Sequence, residues 1–338
     1  MKPQETNTYS LFAAETMLKL LDSASALPEG VRQGKDAECI HRMRVACRRL
    51  RYAMTVFDDC FNKARHRFWI RVVRKIARRL GVARDLDVQL SILDKLRHAL
   101  PSRAYLPGVR RVQLRVTQRR NRVQDDVIEA VDKFARSYIL VEMAFYLRRL
   151  KSRDKIRNNK ENVRLNLQRK AGALVMKHLK NITAFEEDTF DVDHAGDLHQ
   201  LRINIRSMRY ATEIFAACYP SLLENEIHVL CELQDMLGDI HDNITLINYL
   251  TKFTGKESLR VLDFYGSISP LRTFLPGTTF LIRNRRKYCQ QQLSRLAEYW
   301  TALKNKGVWD NMARTFQPPI KPQTAASRRK LNLKEIRK

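Results

Sequence analysis

Two stretches of the chain carry the residue types best suited to grip an anion, and they share one spacing. Residues 41–52 read HRMRVACRRLRY, and residues 199–210 read HQLRINIRSMRY. At 3.6 residues per turn, His41, Arg44, Arg48, Arg51 and Tyr52 fall on one side of a helix, as do His199, Arg202, Arg206, Arg209 and Tyr210 on a second. The opposite sides are apolar, with Met43, Ala46, Leu50, Ala53, Met54 and Phe57 in the first and Leu201, Ile205, Met208, Ala211 and Phe215 in the second. Arginine suits phosphate because its planar fork donates two hydrogen bonds and stays charged throughout the physiological range. Histidine adds a donor whose charge depends on pH. Basic groups at this spacing span about 15 Å of helix, which matches an extended chain of anions better than one small anion.

Such stripes need a scaffold to hold them, and the rest of the sequence supplies a helical one in duplicate. An opening helix over residues 8–27 is expected to stop at Pro28-Glu29-Gly30 and lead into the first basic helix, from near residue 38 to near Cys60. A further helix from about residue 62 carries Phe68, Trp69, Val72, Val73, Ile76 and Leu80, and meets Leu80-Gly81-Val82-Ala83-Arg84-Asp85. That run returns as Leu237-Gly238-Asp239-Ile240-His241-Asp242. A glycine inside a helical pattern predicts a close helix approach or a local break. Asp85 and Asp242 are then placed to orient a stripe residue, or to serve as ordinary helix-surface acids. Each half continues to a Leu-Pro-Gly, at 106–108 and 275–277, which reads as a stop before another basic helix. Those later helices contribute Arg119 and Arg120 in the first half and Arg285 and Arg286 in the second. The opening helix has its counterpart from Ala173.

The reading is therefore all-α: two helical bundles of about four main helices each, from an internal tandem duplication, related by pseudo-two-fold symmetry around a basic groove. The expected boundaries are 1–150 for the first half, 151–162 for a polar connection, 163–315 for the second half and 316–338 for a basic, disordered tail.

Composition narrows the partner. Lys and Arg number 63 against 36 Asp and Glu, a net charge of +27, so nucleic acid, a ribosome, an anionic membrane surface or a free phosphate polymer all fit. One basic helix face is ordinarily no more than solvated. Here it recurs with its histidine in register, and like charges crowded on facing helices ask for a counter-anion. The six cysteines are scattered without a CxxC pair and read as reduced residues of a cytosolic protein. The start lacks a signal-peptide pattern, and no window is apolar enough for a membrane span. Phosphate-binding loops, dinucleotide fingerprints and HExxH are missing. No metal site and no cofactor are expected, and no enzymatic role, since Asp87 corresponds to Ile244 and no second carboxylate recurs in register.

The doubled HxxR(x3)RxxRY, each copy followed by LGxxxD, resembles the CHAD family, the conserved histidine α-helical domain, over about residues 8–315. The resemblance implies two helical bundles with internal pseudosymmetry that bind inorganic polyphosphate through a basic cavity or groove, in association with polyphosphate granules. Carried over by position, the binding surface would be the two stripes, with the later basic helices adding to it. Arg49 is matched by Ser207 and Arg84 by His241, so the halves need not contribute equally. The ExExK signature of the triphosphate-processing CYTH domain, often fused to CHAD domains, is missing. The expectation is thus a stand-alone, non-catalytic, cytoplasmic polyphosphate binder at granules; the alternative is a general polyanion binder acting on nucleic acid or ribosomes.

Overall fold

A computed structural model describes residues 3–33, 37–153, 160–185, 190–219 and 223–317, and among them every regular element is helical. The basic helices are α3, Ala37–Val56, and α8, Ala195–Phe215. Their apolar faces sink as the 3.6-residue period requires: Met43, Leu50, Ala53, Met54 and Phe57 in one, and Ile205, Met208, Ala211 and Phe215 in the other, are fully buried.

The order of packing repeats along the chain. Helix α3 lies on α4, Lys63–His98, which lies on α5, Leu106–Ala135. In parallel, α8 lies on α9, Glu224–Tyr265, which lies on α10, Leu271–Asn305. Around the α3 and α8 end sit α1, Pro3–Ser25, α6, Tyr138–Arg153, and α7, Lys160–Thr183. The short α2, Pro28–Gln33, bridges α3 and α5, while α11, Val308–Thr315, caps α7 and α10.

Positions that the sequence repeat equates touch one another. The rings of Tyr52 and Tyr210 lie 5.7 Å apart and those of Phe57 and Phe215 6.2 Å apart, with Phe12 of α1 stacked on Phe215 at 5.6 Å. At the far end Gly108 meets Gly277 backbone to backbone. Contact between equivalent residues is what an approximate two-fold axis between the halves would produce. The interior is divided across the halves rather than between them. One large core takes residues from all eleven helices described, and a smaller one joins α4, α5, α9 and α10 through Leu93, Val112, Val116, Leu246, Leu250 and Leu281.

Three local expectations change. Pro28-Glu29-Gly30 opens α2 instead of ending in coil, because proline at a first helical position loses a hydrogen bond that the helix terminus lacks anyway. For the same reason Leu106-Pro107-Gly108 starts α5, and its counterpart lies inside α10, which begins at Leu271, one turn before Pro276. Helices α4 and α9 run without interruption through Gly81 and Gly238. The expected connection at 151–162 straddles the end of α6 and the start of α7, and its residues 154–159 lie outside the described residues, as does the tail from 318. The six cysteines are free, with Cys47, Cys218 and Cys289 buried.

Candidate functional site

The polar sides of α3 and α8 turn toward each other and pool their cations. The field of Arg48 acts on Arg202 and Arg206, and that of Arg44 on Arg202, so guanidinium groups from both halves share one region. Burial, followed by Arg48 and Arg202, pulls the Arg206 guanidinium down to about 10. Burial and then Arg74 and Arg48 act in the same direction on Arg51. Like charges held this close destabilise the empty protein, and an anion entering between them relieves the repulsion.

What positions the guanidinium groups is visible residue by residue. Beneath Arg44 lies Gly81: a Cβ there would sit 3.6 Å from Arg44 Nε, and one on Gly238 would sit 3.9 Å from Arg202 Nε. The repeated glycine thus marks, in both halves, the point where an arginine of the stripe passes over the neighbouring helix. The acid one turn on is the second support. Asp85 Oδ1 is 3.5 Å from Arg44 Nη2 and also acts on Arg202. Asp242 acts on Arg202 and Arg44, but burial, with Asp85 opposing it, pushes its carboxyl up to about 6. The two acids therefore lie across from each other under the arginines.

The tyrosines sit behind the stripe. Tyr210 is only 3% exposed, its hydroxyl accepts a 2.7 Å hydrogen bond from Arg48 Nε, and the guanidinium carbons of Arg48, Arg49 and Arg209 each lie 5.8 Å from its ring centroid. Tyr52 pairs its hydroxyl with His178 Nε2 at 3.2 Å. Tyr210 thus touches the arginines directly, while Tyr52 meets the Tyr210 ring and His178 instead. The histidines face the cations. His41 and His199 keep a buried Nδ1 with no hydrogen-bond partner among the described residues, and burial, then neighbouring arginines, holds both imidazoles below the usual range.

The cluster is half-buried and draws its arginines from two helices, with Asp85 and Asp242 beside Arg44 and Arg202 and Tyr210 against Arg48. Comparison with known proteins agrees on the family. The CHAD domain description matches residues 15–251. The chain belongs to the CHAD family. No curated protein matches it. Among solved structures, the CHAD domain from the plant Ricinus communis superposes with a TM-score of 0.60 at 18% identity, covering 85% of this chain and 86% of that one. PptA from Streptomyces chartreusis gives 0.57 at 14% identity, over 84% of this chain and 99% of the other. At these identities the likeness speaks to the fold.

The remaining sequence-derived residues of this CHAD chain divide by how far their charge is already compensated. Arg209 donates to Glu213 at 2.8 Å, and Arg49 reaches the same carboxylate from α3 at 3.0 Å. The first half has Thr55 where the second has Glu213, and among the described residues no carboxylate pairs with Arg51. On α5, Arg120 closes a 2.6 Å ion pair with Asp87 in which the side chains are only 15% and 11% exposed. On α10, Arg285 lies over Tyr288 at 4.6 Å and donates to Asn243 at 3.2 Å. Arg119 and Arg286 are exposed on the same helices. The structure thus gathers Arg44, Arg48, Arg51, Arg202 and Arg206 with His41 and His199, and gives Arg120 and Arg209 acid partners of their own.

One residue of the cluster escaped the sequence reading. His241 of α9 lies against His199, with ring centroids 5.0 Å apart and the rings tilted by 34°. The only signal was its register opposite Arg84. The pairing with His199 comes from another helix, so periodicity could not show it.

Proposed function

We propose that this chain binds inorganic polyphosphate without transforming it, holding the polymer along the groove between α3 and α8. The observation that supports this most strongly is the convergence of Arg44, Arg48, Arg51, Arg202 and Arg206 from two helices, with too few acids close by to balance them. A phosphate chain offers oxyanions at short, regular intervals, and each desolvated charge-assisted bond contributes about 1.5–3 kcal/mol. Several such bonds exceed the ordering cost of the polymer. Family membership points the same way, since CHAD domains are known in polyphosphate-associated proteins. No described helix is long and apolar enough to cross a membrane; the proposed location is the cytoplasm, at polyphosphate granules. Asp85 and Asp242 are read as supports for the arginines, with any chemistry on the polymer left to a partner.

The test is a competition at about 0.15 M salt, where charges separated by more than about 8 Å are largely screened. Labelled long-chain polyphosphate is displaced by unlabelled polyphosphate, RNA or duplex DNA at equal phosphate concentration. Polyphosphate is expected to win by about tenfold or more, a difference of about 1.4 kcal/mol beyond charge alone. Equal competition by all three would replace this reading with a general polyanion surface acting on nucleic acid or ribosomes. A finer test concerns Tyr210. Tyr210→Phe removes the acceptor that orients Arg48, and is expected to weaken binding about fivefold, the worth of one hydrogen bond of about 1 kcal/mol, with unchanged helical circular dichroism.

A further inference from the structure

Resting on the polyphosphate reading, we propose that His241 is a further phosphate-contacting residue, and that with His199 it takes up a proton as the polymer enters, so that binding tightens as pH falls. The geometry singles out this pair. Two imidazoles from α8 and α9 lie in ring contact at 5.0 Å, tilted 34°, inside a field of cations. The groups facing His241 are His199, Arg202 and Arg206 of α8 and Arg44 of α3, all positive or able to become so. Its neighbour on α9 is Asp242, and across from that stands Asp85 of α4, both leaning on Arg202 and Arg44. The first half has Arg84 at the corresponding position, a permanent cation. The second half has replaced it with one that can be switched by a proton.

The direction follows from the charges. In the empty groove, burial and then Arg202, His199 and Arg44 hold His241 down to about 4, so it is neutral near pH 7 and adds nothing to the pull on an anion. Phosphate oxyanions seated among those arginines cancel the field that keeps the proton away. The bound imidazole then holds its proton at higher pH than the free one. Between the two midpoints the complex carries more protons than its components, and by linkage affinity rises as pH falls across that window. Asp242, pushed up to about 6 by burial, works in the same direction, since an incoming anion favours its neutral form and disfavours its charge. His199, with its buried Nδ1 unpartnered, shares the proton with His241 as one coupled pair.

The experiment is calorimetric titration of the full chain with long-chain polyphosphate, at several pH values between about 5.5 and 7.5, in two buffers of different ionisation enthalpy at each pH. Wild type is expected to show buffer-dependent heats with net proton uptake, and a dissociation constant about fivefold or more smaller at pH 5.5 than at pH 7.5. His241→Arg makes the charge permanent, so it should bind more tightly at pH 7.5 and lose most of the slope. His241→Gln should lose the slope by weakening at pH 5.5. Asp242→Asn separates the carboxyl's share, and should leave the His241-dependent part in place. Equal heats in both buffers with a flat pH profile overturn the proton linkage while the polyphosphate reading stands. A slope that is undiminished in both His241 variants overturns the role of that residue. Failure of polyphosphate to bind at any pH overturns the function itself and this inference with it.

Discussion

Glutamate at Arg44, Arg48, Arg202 and Arg206 together is expected to abolish polyphosphate binding, with a loss of at least about a thousandfold, and to leave the helical circular dichroism signal intact. The magnitude follows from four charge-assisted contacts of about 1.5–3 kcal/mol each, which even with strong non-additivity exceed the roughly 4 kcal/mol that a thousandfold represents. Survival of the fold follows from where these side chains lie. All four are half-buried on the polar sides of α3 and α8, whereas the packing faces carry Met43, Leu50, Met54, Ile205 and Met208. Because four carboxylates would face Asp85 and Asp242, the glutamine version is the cleaner partner experiment. It is expected to lose binding as well, yet to melt no lower than wild type without ligand, since it removes both the cost of burying the Arg206 charge and the repulsion from Arg48 and Arg202 that together pull it down to about 10. Ligand should then raise the melting point of wild type alone. Retained binding by the glutamine variant would take the site away from these helices.

How much of this was legible beforehand depended on whether a feature was local. The faces of α3 and α8 were legible because one helix both displays the arginines and buries Met43 or Ile205, and the 3.6-residue period separates the two sets without reference to anything else. Asp85 was visible only as a recurring spacing, and its 3.5 Å ion pair with Arg44 needed α4 laid against α3. Gly81 and Gly238 were read as marks of a close approach or a break. Neither is seen: the helices run on, and what faces each glycine is a guanidinium at ordinary contact distance, a side-chain placement that is not written in periodicity. The Leu-Pro-Gly runs misled in two ways: Pro107 occupies a first-turn position, where its missing N–H costs nothing, so the tripeptide opens α5, whereas Pro276 lies inside α10, which tolerates the loss of one hydrogen bond. Arg120 looked like an addition to the basic surface because Asp87 lies 33 positions away in sequence and on another helix. His241 was overlooked for the same reason.

Those glycines at the Leu-Pro-Gly runs lead to the second large effect, on stability rather than binding. Gly108→Ala is expected to destabilise the protein by at least about 2 kcal/mol, measured by urea or thermal unfolding, even though alanine exceeds glycine in helix propensity by about 1 kcal/mol. A Cβ on Gly108 would lie 2.7 Å from Gly277 Cα and 2.9 Å from Thr278 N, and would overlap the Phe274 carbonyl. A Cβ on Gly277 would lie 2.8 Å from Gly108 Cα and overlap the Tyr105 carbonyl. Every obstacle is backbone, so no rotamer change relieves it, and α5 must move off α10. That movement would part Tyr105 from Phe280, stacked at 4.6 Å, and open the small core at Val109, Val112 and Leu281. Gly277→Ala should cost a similar amount, and the two together less than their sum, because one separation accommodates both methyl groups. Gly81→Ala is the control that gives the result its meaning. Its Cβ would meet Arg44 at an ordinary 3.6 Å, so the propensity gain should show there as an unchanged or slightly higher stability. If Gly108→Ala behaved like Gly81→Ala, the two halves would not be clasped at this crossing, and the width of the groove would have to be set at the Tyr52 and Tyr210 end alone.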